Sequence, residues 1–258
     1  IHGLMIDKVM VNRPEVVAHP GSDAFCKRLV GQTIDRMERR GKYLLMRLNS
    51  SDRVVIHLRM TGCLLYTPAD LPQEKHTHIT FQLHNGKELR FSDTRRFGRL
   101  WLIASGEADP YSGIEKLGKE PFDLDLCAEY LRARLGNRKK AIKECLLEQG
   151  LIAGIGNIYS DEILFAAKIY PARPAKALTE QEWTRLAAAI PQQLSYFIEK
   201  NEMTPEEYVQ SKGQHYRNAP FLKVYGRAGE ACPVCGEPLF RTVIGGRSST
   251  YCPACQKE

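Results

Sequence analysis

The chain has 258 residues, 43% of them hydrophobic and 26% charged, enough for a sizeable core and for one large or two modest domains. No signal peptide or long apolar run appears in these residues, so a cytoplasmic chain with no membrane partner is expected. The net charge of +7 and pI near 9.0 call for an anionic partner, nucleic acid ahead of a lipid surface.

Met5 to Val11 and Thr33 to Leu48 read as strands, and from Arg53 to Ala104 the pattern has period two. Val54, Ile56 and Leu58 alternate with Val55, His57 and Arg59, Asn85-Gly86 marks a hairpin, and Leu100 to Ile103 extend the β region. An antiparallel sandwich or barrel over residues 1–108 is predicted, followed by a linker over 109–121 that opens on Asp109-Pro110-Tyr111-Ser112-Gly113.

Beyond Pro121 the period becomes helical. Stripes at Leu126, Tyr130, Leu131 and Leu135, at Ile142, Cys145, Leu146 and Leu147, and at Leu186, Ile190, Leu194 and Phe197 predict a helical domain over 122–221. Thr179-Glu180-Gln181-Glu182 has the form of a helix start. Residues 201–221 are polar and weakly periodic and read as a mobile loop.

In the last stretch, 222–258, Cys232, Cys235, Cys252 and Cys255 form two Cys-x-x-Cys pairs sixteen residues apart. That spacing describes one structural zinc ion held by four thiolates, with a pair of disulfides, a redox dithiol or a ligand-free ribbon as the alternatives. Between the pairs, strand, glycine turn and strand put Arg247 at or beside the tip of a metal-braced hairpin.

Two further stretches carry candidate chemistry. Gly154-Ile155-Gly156-Asn157 can aim backbone N–H groups and the Asn157 amide at a phosphate, or can be a plain helix connection with an Asn cap. Arg138, Lys139, Lys140 and Lys143 gather four cations near it, which alone would be a solvated face.

Taken together and in order, Glu38-Arg39-Arg40-Gly41-Lys42-Tyr43-Leu44, His57-Leu58-Arg59-Met60-Thr61-Gly62, Lys75-His76-Thr77-His78, Asp93-Thr94-Arg95-Arg96-Phe97-Gly98, residues 153–159, Val224-Tyr225-Gly226-Arg227 and the cysteine hairpin resemble the formamidopyrimidine-DNA glycosylase family. The resemblance covers essentially the whole chain. It implies an α+β, two-domain protein: an N-terminal antiparallel β-sandwich, then a helix-two-turns-helix domain with a zinc-finger β-hairpin. It further implies a monomeric bacterial base-excision repair enzyme, nucleoid-associated in the cytoplasm. Such an enzyme acts on double-stranded DNA carrying an oxidised or abasic nucleotide, releasing 8-oxoguanine and formamidopyrimidines.

In that family the secondary amine of an N-terminal proline attacks C1′, the next glutamate moves protons, and β,δ-elimination follows from the Schiff base. By resemblance, Lys42 assists base release and β-elimination and Arg247 acts at the 5′ phosphate; Lys42 could otherwise be a solvated strand-end cation. Met60 and Phe97 would wedge into the space left by the extruded nucleotide, and Arg95 would pair with the orphaned base, although Met60 and Phe97 would otherwise be assigned to the core. His76, Arg138 and Asn157 align with phosphate contacts, as do His57 and Lys143. His76 and His78 as a metal pair lack a third ligand.

The chain departs from the family at two places. Ile1-His2-Gly3 aligns beyond the proline, the glutamate and most of the first helix, and Pro14-Glu15 is no substitute because its nitrogen is an amide. A fragment of a longer protein is expected; a chain truly starting at Ile1 would be a catalytically impaired lesion or abasic-site binder. At Asn201-Glu202-Met203-Thr204 the family has paired glycines and hydroxyl residues at the start of the lesion loop. The neighbouring endonuclease VIII family prefers oxidised pyrimidines, but the glycine-Asn157 turn and Arg95-Arg96-Phe97 favour the purine branch.

Overall fold

The computed structural model describes residues 1–211 and 217–257. They divide into two compact units, Ile1–Glu115 with the segment that begins at Met203, and Lys116–Glu202 with the zinc-finger region.

The first unit runs β1 (Ile6–Val11), β2 (Val17–His19), α1 (Ser22–Leu29), β3 (Ile34–Arg40), β4 (Tyr43–Leu48), β5 (Arg53–His57), β6 (Gly62–Pro68), β7 (Thr77–Leu83), β8 (Lys87–Asp93) and β9 (Arg99–Ile103). Two sheets result, one ordered β1-β7-β8-β6 and one ordered β2-β9-β5-β4-β3. All pairings are antiparallel except β2 with β9. Alternation explains why they pack as a sandwich: Val54, Ile56, Met46, Leu100 and Leu102 of the second sheet enter the same core as Ile79, Phe81 and Phe91 of the first. The intervening residues Val55, Leu45, Trp101 and Ile103 form a smaller cluster on the opposite face of the second sheet.

Helix α1 was not legible as a helix beforehand. Phe25 and Leu29, one turn apart, are its buried stripe, and it seals the sandwich core beside Phe81.

The second unit contains α2 (Ala128–Leu135), α3 (Ile142–Leu146), α4 (Asn157–Ala166) and α5 (Glu180–Lys200) around one core that includes Leu131, Ile142, Leu146, Ile163, Trp183 and Ile190. Thr179 caps α5 reciprocally with Glu182, as its sequence indicates.

The 201–221 stretch departs from the loop expected of it. Thr204 and Glu207 form a second capping box, Pro205 takes the first helical position, and α6 (Pro205–Gln210) follows. This helix packs on β6 within the first unit, where burial pushes the Tyr208 hydroxyl up to about 12. Residues 212–216 of the expected lesion loop lie outside the described residues. The last two strands are β10 (Phe240–Ile244) and β11 (Arg247–Tyr251), an antiparallel hairpin.

Candidate nucleic-acid interface and metal centre

Strand register brings three chain segments to one end of the sandwich. Tyr43 pairs with His57, and His57 pairs with Arg99. Lys42, just before β4, the turn of residues 58–61 after β5 and the turn of residues 94–98 before β9 therefore emerge together. The two turns are also the crossovers between sheets, because β6 begins at Gly62 opposite Asp93, the last residue of β8.

Asp93 joins those crossovers. Its buried carboxylate accepts the Thr61 hydroxyl from one turn and the N–H groups of Arg95 (3.1 Å) and Gly98 (2.8 Å) from the other. Burial pushes this carboxyl up, but the hydrogen bonds outweigh it and hold Asp93 below the usual carboxylate range. Its carbonyl accepts from His78 Nε2 at 2.7 Å, which keeps that buried histidine structural. Gly98 is required here: a Cβ would lie 2.6 Å from the Phe91 ring. Arg59 and Arg96, one per turn, take left-handed backbone conformations (φ 57° and 56°) that throw their neighbours outward.

The result is an exposed cluster. Met60 and Phe97, which composition alone would bury, are 73% and 50% exposed. Arg95 lies between them, Nη1 donating to the Met60 sulfur at 3.1 Å and the guanidinium 4.8 Å from the Phe97 ring centre. Large exposed apolar groups bracketing a cation suit insertion into a base stack.

Beside it, Arg13, Lys75, His76, His78, Thr94 and Arg96 line a cleft of about 330 Å³, a cationic cradle suited to an anion. His76 is one of its lining residues, with Arg13, which sequence reading passed over, and Lys75 and Arg96 of the motifs that carry the resemblance. Lys42 is exposed in the β3–β4 turn, where Gly41 supplies a φ of 54°.

His57 is only 9% exposed. Its Nδ1 accepts the Arg59 N–H at 3.0 Å and its ring meets Tyr43 edge-on, so it shapes the turn that carries Met60. Burial first, then the nearby Arg59 and Lys42 charges, lower it to about 4.

In the second unit the glycine turn is organised by a residue that sequence reading passed over. Gln149 accepts the Gly154 N–H (2.9 Å) and donates to the Ile155 carbonyl (2.8 Å), while Gly154 has a φ of 90°. Gly156, rather than Asn157, is the N-cap of α4. Asn157 Nδ2 instead reaches the Ser248 carbonyl at 3.2 Å, leaving a buried Oδ1 with no hydrogen-bond partner among the described residues.

The cation run does not form one solvated face. Arg138 and Lys140 both pair with Glu148, at 2.5 and 3.0 Å. Lys143, expected among the phosphate contacts, is 0% exposed and bound to Asp161 at 2.7 Å and to the Ser248 carbonyl at 2.8 Å. Its stem lies on the inward side of α3, the same stripe that buries Ile142 and Leu146.

The four cysteine Sγ atoms lie within 4.8 Å of one another, with Cys235 to Cys252 at 3.5 Å and Cys232 to Cys255 at 4.0 Å. A tetrahedron with Zn–S legs of about 2.3 Å has edges of about 3.8 Å, so the donor set fits one structural zinc ion. Gln256 ties this centre to the helices by accepting the Cys252 N–H and donating to the Ile169 carbonyl, both at 2.9 Å. Gly245 and Gly246 make the hairpin turn with φ of 55° and 75°, and Arg247, opposite Ile244, is exposed at its edge.

Comparison with known proteins gives three family-model matches: the formamidopyrimidine-DNA glycosylase N-terminal domain over residues 1–100, the H2TH domain over 117–207, and a zinc finger found in FPG and IleRS over 229–257. A formamidopyrimidine-DNA glycosylase of Desulforamulus reducens is 46% identical over 258 residues, covering 100% of this chain and 93% of its own. One of Moorella thermoacetica is 46% identical over 236 residues, 92% of this chain and 86% of its own. Among solved structures, Lactococcus lactis FPG in complex with FAPY-dG-containing DNA superposes with a TM-score of 0.90 at 34% identity, covering 100% of this chain and 94% of that one. The same values hold for its complex with abasic-site DNA.

Proposed function

We propose that this chain, which belongs to the formamidopyrimidine-DNA glycosylase family and is a DNA glycosylase of base-excision repair, removes oxidised purines by Schiff-base chemistry followed by β- and δ-elimination. The observation that carries the reading is the Met60–Arg95–Phe97 cluster, held on two inter-sheet turns by one buried carboxylate. A base must leave the helix before its glycosidic bond can be reached, and unstacking costs a few kcal/mol unless the vacancy is filled. Two apolar wedges and one guanidinium able to hydrogen-bond the widowed base supply that filling.

The remaining residues divide the backbone contacts among them. His76, with Arg13, Lys75 and Arg96, offers a cationic cleft to a phosphate. Arg138 and the Gly154–Asn157 turn offer contacts from the helical unit, and His57 acts through the Met60 turn rather than as a surface contact. In the chemistry that family membership implies, an amino-terminal amine attacks C1′. Lys42 assists base release and β-elimination, and Arg247 stabilises the 5′ phosphate as it departs. Lys42 is exposed at the same sandwich end as the wedge residues, and Arg247 at the edge of a zinc-held hairpin turn. The protein acts as a monomer.

Single-turnover excision on duplexes containing 8-oxoguanine, a formamidopyrimidine or an oxidised pyrimidine tests the lesion class. Faster release of both purine lesions is expected. Preference for the pyrimidine would move the chain to the endonuclease VIII type of specificity.

A further inference from the structure

We propose that the buried Lys143–Asp161 pair is the positioning device for Arg247, an inference that rests on the reading of Arg247 as a phosphate contact. Lys143 of α3 and Asp161 of α4 are both 0% exposed. Among the described residues, the hydrogen bonds their side chains make besides the one to each other go to the three residues that follow Arg247. Lys143 Nζ donates to the Ser248 carbonyl at 2.8 Å; Asp161 accepts the Ser249 hydroxyl at 2.7 Å on Oδ1 and the Thr250 N–H at 3.0 Å on Oδ2. Asn157 Nδ2 adds a second donor to the Ser248 carbonyl.

The hairpin is thus fixed at two places. Zinc holds its base through Cys252, and the ion pair holds β11 directly behind the turn. The other side of the turn abuts α3 as well, since a Cβ on Gly245 would lie 2.6 Å from the Glu144 carboxylate. The lead-in to the zinc finger is gripped by the next residue of α4: Glu162 accepts the N–H groups of Lys223, Val224 and Tyr225 at 2.9–3.0 Å. Two adjacent carboxylates of one helix therefore seat the lead-in and the second strand of the finger.

Stability alone does not account for the pair. Removing two charges from water costs about as much as their attraction returns, and apolar replacements of similar volume are often neutral or stabilising. What an apolar pair cannot supply is a directional hold on a strand backbone one peptide bond from Arg247. A guanidinium that must meet one phosphate benefits from a fixed root, because each immobilised long side chain otherwise costs conformational freedom on binding.

The test is a double-mutant cycle on the zinc-loaded full chain, reading equilibrium affinity for duplex DNA with a tetrahydrofuran abasic site. Arg247→Ala in the unaltered protein should weaken binding about tenfold or more, the value of a charge-assisted hydrogen bond. In K143M/D161N, which removes both charges together, Arg247→Ala should cost less than about twofold. Zinc content and melting temperature identify any unfolding of the finger. Ser249→Ala, which leaves both charges in place, is the second background and should give an intermediate loss. Equal losses from Arg247→Ala in all backgrounds would overturn the positioning role alone. A silent Arg247→Ala in the unaltered protein would overturn the phosphate reading and the inference with it.

Discussion

The Arg95 guanidinium donates to the Met60 sulfur at 3.1 Å across the gap between two inter-sheet turns. With the Phe97 ring 4.8 Å from the same guanidinium, Met60 of one turn and Arg95 and Phe97 of the other act as one exposed group. If this group fills the space of an extruded nucleotide, R95A/F97A should weaken binding to abasic duplex about tenfold or more and to undamaged duplex less than about twofold. Titration of both duplexes by fluorescence anisotropy measures this, and equal losses would return the residues to general backbone contact.

Asp93 makes the cluster possible. Asp93→Ala would leave the buried Gly98 N–H and the Thr61 hydroxyl without their acceptor and the Arg95 N–H with only the Thr61 oxygen. A loss of about 2–4 kcal/mol in denaturant unfolding is expected. Asp93→Asn, which keeps one oxygen, should lose less. Both variants should also blunt the abasic-site preference; unchanged preference in Asp93→Ala would show that the turns hold their form without it.

His57 gives a pH dependence of definite sign. Its value is about 4 when folded against 6.5 when free, so the unfolded chain binds the extra proton between those limits. Its contribution to stability is complete well above pH 6.5 and is lost as pH falls toward 4, amounting to about 3 kcal/mol. Chemical denaturation across pH 4–7 should show a steeper fall for the parent protein than for His57→Gln.

Zinc holds the hairpin that presents Arg247. Cys252→Ser, or chelation of the parent protein, should release the metal and abolish DNA binding while the β unit keeps its far-UV signal and denaturant midpoint. Full binding by the metal-free protein would contradict this.

The sandwich, the α5 start and the cysteine hairpin were legible because each rests on local periodicity or spacing: Val54 and Ile56, Thr179 and Glu182, Cys232 and Cys255. Asp93, Gln149, Asp161 and Glu162 were not. Asp161 and Glu162 act on backbone groups remote in sequence, as Asp161 does on Thr250, and Asp93 and Gln149 on irregular turns a few residues on; nothing in the local pattern distinguishes such a carboxylate or amide from a solvated one. Lys143 was misplaced for the same reason: in sequence it continues a cationic run, whereas the phase of α3 turns it inward. The helix over Pro205–Gln210 is six residues long, too short to show a period, and only its capping box announced it.

Borohydride trapping on a duplex containing 8-oxoguanine, using the product of the complete gene, tests the proposed chemistry most directly. A covalent protein–DNA adduct that forms with the oxidised strand and not with undamaged DNA is the expected result. Tight abasic-site binding with no adduct and no loss of the oxidised base would contradict it and leave a lesion-binding protein in its place.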